Sequence, residues 1–250
     1  MVIDGRIAER RAEVRDERRR RRLRRTLAIL AVVGVIAVLA VVERSALVGL
    51  EEVRVTGVQR LDAGEVRDAA DLELGTSTLR LGLADAADRV TEIPLVRRVE
   101  ARRLDPLTVE IAVEERRPAL VAVGGGEQRL VDREGVVILE GGRDELVPIH
   151  LGDPPPPPGG VVGDDPALAN AHAVWRGLSG PLRARVQRLD ADGPDELWLH
   201  LDSEVQVRFG RAERIDEKVR ALGAVLGDVG ETPVEVIDVR APSTPVVTGP

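Results

Sequence analysis

The sequence predicts an α+β protein: one membrane-crossing helix, then a small β-α-α-β-β module, then a β-rich domain carrying an antiparallel sheet and two flanking helices. Three observations predict it. Thr26 to Val42 is a run of 17 residues without a charge, and it directly follows RRRRRLRR at Arg18 to Arg25. From Leu47 to Arg117 the apolar periodicity reads strand, helix, helix, strand, strand. Beyond Pro118, apolar and polar residues mostly alternate, the period of half-buried strands.

At roughly 1.5 Å per residue the uncharged run covers about 26 Å, a little less than the ~30 Å hydrocarbon core of a bilayer. Extending the span to residues 26–46 closes the gap, with Glu43 and Arg44 at the interface and Arg24 and Arg25 snorkelling. Residues 6–25 hold 11 Arg, whereas residues 43–62 hold only Arg44, Arg54 and Arg60. The positive-inside rule therefore makes Arg18, Arg19, Arg20, Arg21, Arg22, Arg24 and Arg25 the topology signal, with residues 1–25 a basic cytoplasmic tail and the bulk of the chain outside. A cleaved signal peptide is the rival reading, but the sequence after Val42 offers no small-x-small site. The Arg run as a nucleic-acid arm is a second rival.

Charge supports the division. Residues 1–25 carry 11 Arg against five acidic residues, a net +6, which leaves −13 on the remaining 225. Such an acidic exported part is a poor general nucleic-acid binder. Only Lys218 among 36 basic residues is lysine, and aromatics are limited to Trp175, Trp198 and Phe209, a composition bias from which no function follows. With no cysteine, neither a disulfide framework nor a thiolate site can form. Packing alone must hold the exported part together.

The first module spans residues 47–117. Val53 and Val55 before Gly57 predict a strand. Asp62-Ala-Gly-Glu65 has the form of a capping box opening a helix to about Asp71. Leu83, Ala87 and Val90 predict a second helix that stops before Pro94. Leu95 to Arg103 and Leu107 to Glu114 then flank Asp105-Pro106 as a hairpin, with Arg98 and Arg102 across from Glu110 and Glu114 on an open sheet face. That row reads either as exposed cross-strand ion pairs or as a docking surface.

The second domain spans residues 118–241. Leu120 to Val123 and Gln128 to Val131 flank a hairpin turn at Gly124 to Gly126, and Asp132 to Gly135 leads into Val136 to Leu139. Arg185 to Leu189, Leu197 to Leu201 and Val205 to Phe209 are further strands. Asp165-Pro166 opens a helix whose Leu168, Ala171, Val174, Trp175 and Leu178 share a face. Ile215, Val219, Leu222, Val225 and Leu226 form a second apolar stripe around Lys218. Pro154 to Pro158 reads as an extended surface loop, and residues 242–250 as a C-terminal tail.

Chemistry-bearing motifs are absent. The residue three before Lys218 is Ile215, so no Ser-x-x-Lys motif exists, and His150, His172 and His200 have no metal-ligand spacing. No catalytic residue, cofactor site or metal site can be assembled, and the expectation is a protein that is not an enzyme and uses no cofactor.

The order of parts resembles FtsQ/DivIB, the bitopic division proteins of bacteria, over nearly the whole chain. The stretches that carry the resemblance are Leu50-Glu-Glu-Val-Arg-Val-Thr-Gly57, Ile93-Pro-Leu-Val-Arg-Arg-Val99, Val113-Glu-Glu-Arg-Arg-Pro118, Leu130-Val-Asp-Arg-Glu-Gly135 and Val236-Ile-Asp-Val-Arg-Ala-Pro242. The resemblance implies that the first module is POTRA-like, a protein-docking unit, and that the chain is a non-enzymatic scaffold of the division septum in the cytoplasmic membrane. It implies docking of FtsB/DivIC-like and FtsL-like proteins and, through them, FtsW and FtsI. The family's FtsB-binding edge lies at the last strands of the β domain, here Val234, Glu235, Val236, Ile237, Asp238, Val239 and Arg240 and, less directly, Ser243 and Val246. Their residue types suit a terminal strand at a sheet edge, with pairing interrupted after Ala241 by Pro242 and Pro245, and Arg240→Glu is expected to leave folding alone. A POTRA-type module in protein export or envelope assembly is the alternative function, and an envelope enzyme acting on the cell wall a third.

Overall fold

The computed structural model describes residues 24–38, 41, 49–229 and 233–249. Residues 24–38 form a helix, α1, exposed along its whole length. Among the described residues no helix is long and apolar enough to cross a membrane. The basic tail through Leu23, residues 39–46 of the expected 26–46 span apart from Val41, and residues 47 and 48 lie outside the described residues.

The first module contains β1 (Glu52–Thr56), α2 (Ala63–Ala70), α3 (Leu83–Thr91), β2 (Val96–Arg103) and β3 (Thr108–Glu115), in the order read from the periodicity. Asp62 caps α2, its Oδ1 accepting from Gly64 N at 2.6 Å and Glu65 N at 3.4 Å, which satisfies donors the first turn otherwise leaves open. Val66, Ala70, Ala86 and Val90 of the helices bury against Val109, Ile111 and Val113 of β3. The central strand β3 pairs parallel with β1 and antiparallel with β2.

Arg98 does register with Glu114, and Arg102 with Glu110. Arg102 Nε meets Glu110 at 2.6 Å, but Glu114 is taken by Arg97 Nη1 at 2.8 Å. A bulge between Val96 and Arg98 is the reason: the extra residue re-aims its side chain, and Arg97 also reaches Glu134 at 2.5 Å.

Glu115, at the end of β3, has its side chain only 7% exposed. Its Oε1 accepts from the backbone N–H of Gln59, Arg60 and Leu61 at 2.6, 2.8 and 2.9 Å. This carboxylate pins the β1–α2 loop. Burial pushes its pKa up, but those three N–H donors and the Arg60 side chain outweigh it and hold it below its ordinary value.

The second domain contains β4 (Pro118–Gly124), β5 (Glu127–Asp132), β6 (Val137–Glu140), β7 (Val147–Leu151), a 3-10 turn at Val162–Asp164, α4 (Pro166–Gly177) and α5 (Gly180–Arg185). After these come β8 (Val186–Gly193), β9 (Glu196–Leu201), β10 (Gln206–Arg208), α6 (Ile215–Val229), β11 (Val236–Asp238) and β12 (Val246–Thr248). The strands form one sheet of order β12-β11-β10-β9-β8-β7-β4-β5-β6. The expected antiparallel sheet is mixed, because β4/β7, β7/β8 and β10/β11 pair parallel. Helices α4 and α5 connect β7 to β8, and α6 connects β10 to β11; such a crossover returns the chain to the same end of the sheet. Strands β7 and β12 and the short helix α5 are additions to the sequence reading.

Leu168, Ala171 and Val174 of α4 and Leu222 of α6 bury with Leu197, Leu199, Val207, Phe209 and Ile237 of the sheet. On the opposite face, Leu95 and Leu61 of the first module pack with Val121, Leu130 and Ile138 of β4 to β6. Only Arg116 and Arg117 separate β3 from β4. Arg116 Nη1 meets Asp132 Oδ2 at 2.8 Å and Glu134 Oε2 at 3.0 Å, and its Nε donates to Val96 O at 3.1 Å. Asp132 Oδ1 accepts from Glu134 N and Val136 N at 2.9 and 2.8 Å. The Arg116 and Asp132 side chains are 16% and 5% exposed, so the pair sits largely out of water.

Asp132→Ala strips Arg116 of its buried partner and leaves two backbone donors unmet, and is expected to cost about 3 kcal/mol by urea unfolding of the full chain; a loss below about 1 kcal/mol would contradict the role given to the pair. Glu115→Gln tests the pinned loop. A carboxylate with a depressed folded pKa stabilises above the unfolded value of roughly 4.3 and loses that contribution as pH falls through the folded value. The melting temperatures of the parent and Glu115→Gln should therefore differ most near neutral pH and converge toward pH 3.

Candidate functional site

Strands β9 to β12 build the end of the sheet farthest from the first module in strand order. Their register sets out rows across four strands. Leu199, Val207, Ile237 and Val247 form one row, of which the first three are fully buried against the helices. The adjacent row, Trp198, Arg208, Asp238 and Val246, lies on the opposite, solvated face, as period-two alternation requires.

Beneath this edge a buried polar network holds the β10–α6 loop. Lys218 donates to Phe209 O at 3.0 Å and Arg211 O at 2.8 Å, and its ammonium lies over the Phe209 ring, 5.1 Å from the centroid. Burial pushes its pKa down, against the pull of Glu213. Asn170 donates to Gly210 O at 3.1 Å and accepts from Ala212 N at 2.6 Å. The alternation and stripe patterns revealed neither partner set, since all the partners are backbone groups, 7 and 9 residues from Lys218 and 40 and 42 from Asn170.

The sequence-predicted edge residues divide. Ile237 and Val239 are buried, Val234, Val236 and Asp238 half-buried, and Glu235, Arg240 and Ser243 exposed. Strand β11 is not the edge. Val236, Ile237 and Asp238 pair on one side with β10 and on the other with Thr248, Val247 and Val246. The edge is β12, inside the expected tail, because Pro245 precedes the first paired residue and so removes no ladder donor. Its Val246 and Val247 are 60% and 42% exposed, and its outer side has no strand partner among the described residues. At the other end of the sheet, the segment around Gly159 to Val161 covers β6: Gly159 N donates to Val137 O at 2.8 Å and Val137 N to Gly160 O at 2.9 Å.

Arg240 is tied to Asp238, with Nη2–Oδ2 at 2.7 Å and Nε to both carboxylate oxygens at 3.1 and 3.0 Å. Burial pushes the Asp238 pKa up, but the Arg240 side chain and backbone N–H, with Arg208, hold it below its ordinary value. Arg240→Glu sets a second carboxylate beside Asp238 in place of an exposed ion pair, so it changes the local charge of this face as well as its contact surface. Trp198 and Arg208 were missed as surface residues of this face. Arg208 stacks on the Trp198 ring at 5.4 Å, and the alternation of Leu197, Leu199 and Leu201 already assigned Trp198 outward. Of the topology residues, Arg24 and Arg25 are exposed on α1, while Arg18 to Arg22 lie outside the described residues.

Elsewhere, strands β7, β8 and β9 bring His150, Asp190 and His200 together, which their sequence spacing did not show. His200 Nε2 lies 2.6 Å from Asp190 Oδ2, and His150 Nδ1 and Arg188 Nε lie 3.4 and 3.3 Å from Oδ1. Among the described residues no group of three or more histidine, aspartate or glutamate side chains is placed to hold a metal ion. His172 is buried beside Gly135 and kept below its ordinary pKa by burial, against the pull of the Asp132 backbone. A charged cleft of about 700 Å³ opens at the module joint, lined by Arg60, Arg97, Glu115, Arg116, Asp132 and Glu134 among others.

Comparison with known proteins matches residues 48–116 to the POTRA domain, FtsQ-type, and residues 119–240 to cell division protein FtsQ/DivIB, C-terminal. The chain is 30% identical to cell division protein FtsQ of Mycobacteroides abscessus over 204 residues, 80% of this chain and 62% of the relative. It is 30% identical to that of Mycobacterium leprae over 201 residues, covering 80% and 56%. With FtsQ of Rhodothermus marinus the identity is 32% over 186 residues, 71% of this chain and 67% of the relative. The matched region thus spans roughly three-fifths of the mycobacterial relatives' length. The two family matches follow one another along the chain and meet at the joint between β3 and β4, so the chain belongs to the FtsQ/DivIB family of cell division proteins.

Proposed function

We propose that the chain is a non-enzymatic, bitopic scaffold of the bacterial division septum, anchored by residues 26–46 with its basic N-terminus in the cytoplasm. The POTRA-like module (47–117) and the β domain (118–241, extended by β12) are its exported docking units. It binds FtsB/DivIC-like and FtsL-like proteins and, through them, acts on FtsW and FtsI in septal wall synthesis. One observation supports the reading: among the described residues the outer edge of β12, in a nine-stranded sheet, has no strand partner, and it carries two exposed valines.

An open strand edge is a template for an added strand, with backbone hydrogen bonds giving affinity and side-chain rows giving specificity. A partner strand beside β12 extends the row Trp198, Arg208, Asp238, Val246 by one residue. The candidate residues Val234, Glu235, Val236, Ile237, Asp238, Val239, Arg240, Ser243 and Val246 then divide by role. Val246 and Ser243 lie at the contact, whereas Ile237 and Val239 support it from the core.

Two substitutions separate contact from support. Val246→Arg changes an exposed side chain and is expected to alter folding stability by less than about 0.5 kcal/mol while weakening capture of the exported part of an FtsB-type protein at least tenfold, about 1.4 kcal/mol. Ile237→Ala opens a buried site and should cost about 2–5 kcal/mol in thermal or urea unfolding. Unchanged capture by the Val246→Arg chain, with a normal melt, would place the contact elsewhere.

A further inference from the structure

We propose that one end of the POTRA-like module rests on the phospholipid bilayer through three leucines, Leu74, Leu79 and Leu104, making the module a lipid-contacting base rather than a freely tethered domain. The proposal rests on the membrane-anchor reading of residues 26–46 and extends it.

The three are among the most exposed large apolar side chains of the folded modules, at 67%, 64% and 42%. The α2–α3 loop that carries the first two does not expose its leucines indiscriminately. Leu72 and Leu81 of the same loop pack against the module core, while Leu74 and Leu79 project outward. Isolated exposed leucines are ordinary on protein surfaces; several at one end of a module mark an interaction surface.

Backbone bonds gather them at that end. Gly49 bridges Ser77, Leu50 N donates to Thr76 O at 2.9 Å, and Gly75 N donates to Leu50 O at 2.7 Å. Thr78 Oγ1 donates to Pro106 O at 2.7 Å, and Arg103 Nε donates to Thr78 O. The leucine-bearing loop is therefore bonded both to the first residues after the anchor and to the β2–β3 turn that carries Leu104. Residue 46 ends the anchor reading, and three residues of chain reach at most about 10 Å. That is comparable to the headgroup layer, roughly 5–8 Å on each side of the hydrocarbon core.

Strand direction carries the chain away from the leucine end. β3 starts at Thr108 at the leucine end and finishes at Glu115, where the chain passes to β4. Eight residues at about 3.3 Å separate the joint from the leucine end by some 25 Å along the strand. A bilayer is thus the occupant that the short reach from residue 46 to Gly49 brings within range of this end, and a soluble partner has no such tie to it.

The absence of cysteine in the sequence gives a clean test. The full chain, carrying Leu74→Cys, Leu79→Cys or Leu104→Cys labelled with an environment-sensitive fluorophore, is reconstituted in vesicles of phosphatidylethanolamine and phosphatidylglycerol. Ser203→Cys in the β9–β10 turn serves as the control. Nitroxide-bearing lipids should quench the three leucine positions several-fold more than position 203. If the chain floats with the vesicles but all four labels are quenched equally, the lipid contact is wrong and the anchor stands. If the chain does not float, the anchor and the contact both fall.

Discussion

Two small modules act on one another through a largely buried ion pair. Arg116 leaves the last strand of the first sheet, and Asp132 closes the first hairpin of the second. Losing either partner is costly, because a charge with so little access to water then depends on its remaining contacts, Glu134 for Arg116 and two backbone N–H groups for Asp132. Around them Leu61 and Leu95 seat on β4 to β6, and Arg97 bridges Glu114 and Glu134 across the joint. The direction in which the sheet leaves the POTRA-like module follows from that arrangement.

From the joint, the sheet runs six strands to β12, about 29 Å at the usual strand spacing. The chain therefore separates three tasks in space. One end of the first module gathers the chain's entry at Gly49 and Leu50 with the β2–β3 turn, the joint holds the modules together, and β12, without an outer strand partner among the described residues, lies at the far rim. The Lys218 and Asn170 network under β10 keeps that rim ordered without a disulfide, by satisfying backbone carbonyls and an N–H of the 209–212 loop.

Local patterns were legible where neighbours in sequence are neighbours in space. The order β-α-α-β-β, the Asp62 and Asp165 caps, the Gly124 to Gly126 hairpin and the facing of Leu197, Leu199 and Leu201 all follow from period and turn chemistry. The parallel pairings were not legible, since β7 with β8 and β10 with β11 meet only through helical crossovers. Val147-Pro-Ile-His-Leu151 is short and holds a proline, so β7 gave no alternation to read. Pro242 and Pro245 concealed β12 for the opposite reason: prolines that break a strand's interior are harmless before its first paired residue. Of the motifs carrying the family resemblance, two proved to be the joint itself, Val113 to Pro118 and Leu130 to Gly135. Nothing in their spacing shows that Arg116 faces Asp132, because the two charges meet only once β5 pairs with β4.

The candidate edge was half legible. The C-terminal apolar strand was found, but its position was off by one strand, and although alternation placed Trp198 outward, its row with Arg208 and Asp238 appears only through cross-strand register. The most direct test of strand addition at this edge is amide hydrogen exchange of the full chain with and without the exported part of an FtsB-type partner. The account predicts that amides of residues 246–248 become protected on binding while those of the first module stay unchanged; protection confined to the POTRA-like module, with β12 still exchanging freely, would contradict it.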